Sequence, residues 1–154
     1  MGRGHLIRAA ALAALALGLA APAAGALSWR VLADGPSPGA AVPTPTAYVA
    51  LDRAGADRFS ARLGGGSAKL AHVDFARSAL VAIFGEFGCE DPLIGVSSLA
   101  QHGTSLAVSL MQEEPPPGTA QCLAIFGTYR LLAVPKASLR TPYPTRAVVT
   151  LARS

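Results

Sequence analysis

The stretch HVDFARSALVAIFG, residues 72–85, decides the fold. Its second half, residues 79–84, is an uninterrupted apolar run that includes Val, Ile and Phe. A short apolar run without alternation is typical of a strand whose two faces are both buried. We therefore expect a central strand here, and the rest of the chain has to cover both of its faces.

The segments before this strand predict two further strands and one helix. Residues 27–33, LSWRVLA, alternate in polarity and residues 47–51, AYVAL, are short and apolar, so both predict strands. Between them, residues 34–46 contain four Pro and two Gly and predict an exposed loop. Asp52 is a predicted N-cap for a helix in residues 53–63, which a run of three glycines ends.

The segments after the central strand predict a β-rich domain. Residues 94–100 and 105–112 form a predicted hairpin with His102 and Gly103 at its turn, and QCLAIFG, YRLLAVPK and RAVVTLA predict three more strands. The expected fold is mainly β, a β-sandwich or small barrel with one short α-helix. The expected core consists of Val31, Phe59, Val81, Ile83, Val108, Leu110, Leu123, Leu132 and Val149.

The N-terminal residues have the pattern of a signal peptide. Arg3 and Arg8 precede an uncharged Ala/Leu run, and Ala-Gly-Ala at 24–26 supplies a small-x-small cleavage pattern. We expect a signal peptide at 1–26, and the alternative is an uncleaved N-terminal anchor. Cleavage leaves no membrane span, so the predicted location is secreted or periplasmic, in the cell envelope.

Two regions are expected to follow the signal peptide. The first, 27–46, holds the N-terminal strand and the Pro/Gly-rich loop, and the second, 47–154, is the β domain. The basic residues of both regions are scattered, without a basic run that interleaves aromatics, which argues against nucleic-acid binding.

The two cysteines predict one disulfide. In an exported chain, Cys89 and Cys122 are expected to pair, and two free buried thiols are the alternative. This disulfide would fix the turn at 85–93. Phe87 in that turn is either a core residue, the preferred interpretation, or an exposed binding anchor.

Candidate catalytic and metal-binding residues do not form a recognised motif. His72 and His102 are the histidines after residue 26, no Gly-x-Ser-x-Gly elbow occurs, and the two cysteines lack the close spacing of a zinc site. We expect Asp74 to fix the turn before the central strand, with a partner contact as the alternative. We predict no enzyme activity, no cofactor and no metal. The acids of two predicted solvated loops are Glu86, Glu90, Asp91, Glu113 and Glu114.

The order of these motifs resembles the C-terminal domain of the PrcB-like family. VDFARSALVAIFG at 73–85 is followed by a Gly-containing turn, the hairpin sequence IGVSSLAQHGTSLAVSLMQEEPPPG at 94–118, and YRLLAVPK at 129–136. The strand and helix in YVALDRAGADRFSARL, 48–63, also fit. One departure lies in the turn, where GCEDPLIG at 88–95 replaces the Thr-Gly-Gly-Tyr-like stretch of the family.

The resemblance implies a non-enzymatic envelope module that binds or stabilises another protein, with an extracellular protease as the candidate partner. The candidate partner-binding residues lie in the turn: Glu86, Phe87, Glu90, Asp91 and Pro92. The alternative function is a secreted protease inhibitor that acts through the turn 85–93 and the Pro-rich loop 113–118. A small hydrolase that uses the loop acids is a third hypothesis.

Overall fold

The structure is a computed structural model that describes residues 25–38, 44–87, 94–112 and 126–153. In these residues one α-helix, α1 (Arg53–Ser60), and two 3₁₀ turns, Gly66–Leu70 and Lys136–Ser138, accompany seven strands. The strands are β1 (Arg30–Pro36), β2 (Thr46–Ala50), β3 (Ser78–Phe87), β4 (Ile94–His102), β5 (Ser105–Gln112), β6 (Phe126–Pro135) and β7 (Arg146–Arg153).

Four of the strands form an antiparallel sheet in the order β1-β6-β3-β2. β3 lies in its interior and pairs with β6 along its whole length, from Ser78 opposite Pro135 to Phe87 opposite Phe126. On its other side, β3 pairs with the five residues of β2. The predicted central strand is therefore confirmed, and it extends to Phe87.

The other three strands form a second sheet in the order β4-β5-β7. β4 and β5 form the predicted hairpin, and Gly103 at its turn has φ 58°, a left-handed conformation that favours glycine. β7 pairs with β5 in parallel, because the chain crosses back to the start of β5 before it enters β7.

The two sheets pack face to face, and the helix covers the outer face of the four-stranded sheet. Alternate residues of β3 divide between two cores. Ala79, Val81 and Ile83 face the three-stranded sheet. Leu80, Ala82 and Phe84 pack against residues 53–75, which contain α1 and the 3₁₀ turn Gly66–Leu70 and which we call the helical layer. The mainly β, sandwich-like class with one short helix is thus confirmed.

The helix forms where the sequence predicts it. The Asp52 carboxylate accepts a hydrogen bond from the Gly55 amide at 2.7 Å, which satisfies one of the donors at the helix start. Ala56 and Phe59 are buried against the four-stranded sheet. The helix ends at Ser60, and the glycine run follows with Gly65 and Gly66 at positive φ.

The N-terminal strand differs from its prediction. β1 begins at Arg30 and includes Asp34–Pro36, which were expected in the loop, and a bulge between Val31 and Ala33 shifts its register. Val31 is a predicted core residue but is 52% exposed, because β1 is an edge strand with a neighbour on one side only. Leu27, which precedes the strand, is buried in the core between the sheets.

The remaining core predictions are borne out for the residues that are described, apart from Val149, which is only partly buried against the core. Leu123 lies outside the described residues. Residues 121–125 of the predicted strand QCLAIFG lie outside the described residues, and Phe126 and Gly127 belong to β6 together with the predicted strand YRLLAVPK as far as Pro135. β1 pairs with β6, so the region 27–46 contributes a strand to the sheet that also contains β2, β3 and β6.

Gln101 is a buried polar residue that fastens the crossover segment to β4. Its side-chain amide donates to the carbonyl oxygens of Arg140 at 2.8 Å, Gly103 at 2.9 Å and Pro142 at 3.1 Å. Its Oε1 accepts from the Arg140 amide at 2.8 Å. This set of bonds fixes the segment that leads from the 3₁₀ turn at Lys136–Ser138 to β7.

We predict that Gln101→Ala lowers the free energy of unfolding by about 1–3 kcal/mol, because it leaves several backbone groups without their partner. Urea unfolding measures the change, and His102→Ala at the exposed neighbouring position is the control, with an expected change near zero. Equal stability of the two variants would contradict this role for Gln101.

Candidate functional site

One end of the four-stranded sheet collects the segments that carry the predicted binding residues. The end of β1 at Pro36, the end of β3 at Phe87 and the start of β6 at Phe126 all lie there, next to the start of β2 at Thr46. We call this the loop end. Three connections leave from it: 39–43, 88–93 and 113–125, all outside the described residues.

The predicted partner-binding residues divide between the strand and the connection after it. The backbones of Glu86 and Phe87 belong to β3, opposite Gly127 and Phe126 of β6. The turn predicted at 85–93 therefore begins after Phe87. The other members of the predicted site and the loop 113–118 lie outside the described residues; those members are Glu90, Asp91, Pro92, Cys89 and Cys122.

Strand pairing bears on the predicted disulfide. Cys89 follows Phe87 by two positions, and Cys122 precedes Phe126 by four. Phe87 and Phe126 are opposite each other in the β3–β6 ladder. The chain therefore leaves adjacent positions toward the two cysteines, and a Cα separation of about 4.4–6.8 Å, which a disulfide needs, is within reach. The disulfide itself stays a prediction.

An arginine stacks on aromatic rings beside the loop end. Phe84 of β3, Tyr48 of β2 and Phe59 of α1 form a cluster with ring centroids 5.8–6.2 Å apart. The Arg62 guanidinium carbon lies 4.2 Å from the centroid of Phe84 and 5.5 Å from that of Tyr48. Arg62 also donates to the Tyr48 hydroxyl at 2.9 Å.

Arg62 contacts β2, β3 and the segment after β1, and these contacts fix the position of its positive charge. The Ser37 hydroxyl donates to the Arg62 carbonyl oxygen at 2.7 Å, which fastens the chain after β1 to the segment after α1. Cation–π contacts of this kind contribute about 0.5–2 kcal/mol each. The sequence did not single out Arg62, because its partners Phe84 and Tyr48 are distant from it along the chain. Its position three residues after the buried Phe59 is the signal that could have revealed it.

A second charged group at the loop end is an ion pair across two strands. Arg130 of β6 and Asp34 of β1 are directly opposite in the ladder, with 3.6 Å between guanidinium nitrogen and carboxylate oxygen. The hydroxyls of Thr46 and Thr128 are buried at the same end and have no hydrogen-bond partner among the described residues. Buried hydroxyls usually have a hydrogen-bond partner, so these two are exceptions among the described residues.

The two candidate histidines lie apart from this end. His72 is exposed in the helical layer after the 3₁₀ turn Gly66–Leu70, and His102 is exposed at the end of β4. Asp74 has the expected structural role, since its carboxylate accepts from the Ala76 amide at 3.0 Å. Within the described ranges, no group of three His, Cys, Asp or Glu side chains is placed to hold a metal ion.

Two small cavities lie toward the opposite end of the molecule. Leu27, Gln101, Ser138 and Arg140 help to line one of about 140 Å³, and Trp29 is among the residues around another of about 170 Å³. Both are smaller than the roughly 300–1,000 Å³ that is usual for small-molecule sites. No carboxylate, His or Cys lines either of them.

None of the helices in the described parts of the chain is long and apolar enough to cross a membrane. Comparisons with protein-family models, with curated proteins and with solved structures found no significant match for this chain. The resemblance to the PrcB-like family accordingly stays a prediction.

We predict that Arg62→Lys lowers the free energy of unfolding by about 0.5–1.5 kcal/mol, because an ammonium cannot reproduce the planar stacking on Phe84. Denaturant unfolding measures the loss. Arg58→Lys, an exposed position on α1, is the matched control and should change stability little. If both variants lose the same amount, the stacking does not stabilise the fold.

Proposed function

We propose that this protein is an exported, non-enzymatic module of the cell envelope that binds or stabilises another protein. An extracellular protease is the first candidate partner, on the strength of the resemblance in motif order to the PrcB-like family. The predicted signal peptide at 1–26 supports export.

The observation that carries the proposal is the loop end. Three connections leave one end of a sheet whose interior strand β3 is buried on both faces. A rigid scaffold that presents several connections at one end is a common arrangement for recognition. The predicted binding residues Glu90, Asp91 and Pro92 belong to one of these connections.

The placement of the two histidines supports a binding role over catalysis that would use both of them. His72 belongs to the helical layer and His102 to the three-stranded sheet, so the two candidate bases lie on different layers. General acid–base catalysis needs its groups within hydrogen-bond reach of one substrate.

Protease inhibition is the second candidate function. The turn ends before Ile94, and the Pro-rich loop begins after Gln112, which is opposite Ile94 in the β4–β5 ladder. The turn and the Pro-rich loop 113–118 would therefore be presented side by side, as an inhibitor that enters a cleft with two loops requires.

Affinity capture from native envelope extract tests the proposal. The purified protein should retain one partner, and the double variant Glu90→Ala/Asp91→Ala should retain about tenfold less, because removal of central interface residues typically costs this much or more. Arg140→Ala, an exposed change at the opposite end, is the control and should capture as well as the unchanged protein. Cys89→Ser/Cys122→Ser should also weaken capture if a disulfide fixes the turn.

The outcome for the captured protein separates the two functions. A partner protease that becomes longer-lived and stays active supports stabilisation, whereas loss of its activity supports inhibition. Recovery of no protein, or equal recovery with the turn variant and the control, would contradict a binding role for the loop end.

A further inference from the structure

The bond at which the predicted signal peptide ends is part of the folded domain. Leu27, the first residue after the predicted cleavage site, is only 8% exposed and belongs to the core between the two sheets. Its amide donates to the carbonyl oxygen of Leu99 in β4 at 2.8 Å. Ala26, the last residue of the predicted signal peptide, forms an antiparallel bridge with Ala100. Both residues that flank the cleavage site are therefore held against β4.

The chain that follows this bond is fixed as well. Trp29 packs against the same core, and β1 begins at Arg30, where it pairs with β6. Cleavage of a folded chain concentrates in segments whose backbone is exposed and unpaired. Gly25 and Ala26 are exposed, but the Ala26–Leu27 bond is fixed on both sides by its pairing with β4 and by burial of Leu27. The folded domain therefore protects the bond at which the signal peptide has to be removed.

The same place accommodates the chain end that cleavage creates. Hydrolysis adds one water across the Ala26–Leu27 bond, so that Ala26 leaves with a carboxylate and Leu27 keeps the amino group. The nitrogen of this group already donates to Leu99, and the amino group can keep that hydrogen bond. Ala26 and Leu27 also help to line the cavity of about 140 Å³, which is large enough for water molecules that accept from the other N–H groups.

We propose that folding of the domain and removal of the signal peptide exclude each other at the Ala26–Leu27 bond. A peptidase of the envelope cuts this bond only before Leu27 docks between the sheets, and a chain that folds first keeps residues 1–26. The two alternatives for the N-terminus, a cleaved signal peptide and an uncleaved anchor, are then two outcomes of one competition. This inference rests on the proposed export and adds a condition to it.

Cleavage of the refolded full-length chain by signal peptidase tests the proposal. A peptide of residues 1–36, which carries the same site without the rest of the domain, is the unfolded reference. The refolded chain should be cut at least about tenfold more slowly than the peptide, because cleavage has to wait until residues 25–27 detach from β4. Intact mass measures the fraction of product that starts at Leu27. Equal rates for the chain and the peptide would overturn the proposal.

An insertion variant separates the docking of Leu27 from recognition of the signal peptide. Gly-Ser-Gly-Ser placed between Ala26 and Leu27 leaves residues 1–26 unchanged and moves the cleaved bond away from the sheet. The refolded variant should therefore be cut as fast as the peptide. The same four residues added after Ser154 are the matched control and should leave cleavage slow. If the insertion variant is cut as slowly as this control, docking of Leu27 does not protect the bond, and the proposal is wrong.

The N-terminus of the protein in native envelope distinguishes this inference from the proposed function. A mature chain that starts at Leu27 agrees with both. A mature chain that is cut before Gly25 would contradict the inference about the Ala26–Leu27 bond and leave the proposed binding module intact. Absence of the protein from the envelope would contradict the proposed function itself.

Discussion

Burial of β3 on both faces is the constraint on which the other parts of the structure depend. Leu80 and Phe84 need a cover on one side of the sheet, and Val81 and Ile83 need one on the other. The helical layer supplies the first and the three-stranded sheet the second. Full burial of each side chain of this size stabilises the folded state by about 1.5–3 kcal/mol. Loss of either cover would therefore lower the free energy of unfolding strongly.

The same strand also determines where the connections emerge. Because β3 and β6 stay paired as far as Phe87 and Phe126, the chain segments beyond them start side by side. Arg62 adds a second restraint by stacking on Phe84 and bonding to Tyr48, which holds the end of the helical layer against β2 and β3. The loop end is therefore held in place by β3, which is buried on both faces.

Local patterns predicted the elements well, and the positions that failed depend on distant neighbours. The apolar run at 79–84 predicted a doubly buried strand because it is short and includes Val, Ile and Phe, which favour a strand over a buried helix. The alternation at 27–33 predicted a strand with an apolar and a polar face, but it does not show whether another layer covers the apolar face. Val31 lies on the edge strand β1 and is exposed. The predicted strand QCLAIFG ends at Gly127. In the structure Gly127 pairs with Glu86 of β3, so β6 continues past it.

The candidate site was less predictable than the fold. The stacking of Arg62 requires Phe84, which is far away in sequence, and the parallel pairing of β7 with β5 requires a crossover that no local pattern encodes. Of the acids of the predicted turn, Glu86 lies in β3, and the other acids and both cysteines lie outside the described residues. The structure shows that Phe87, which precedes this turn, is paired with Phe126, which follows the loop before β6.

Native-state amide hydrogen exchange tests the central role of β3 most directly. We expect amides in the middle of β3 and β6, around Val81 and Leu132, to exchange only through global unfolding and to be the slowest in the molecule. Amides of α1 and of β7 should exchange earlier, through local opening. If amides of α1 or β7 exchange more slowly than those around Val81, the two covers do not depend on β3, which contradicts its central role.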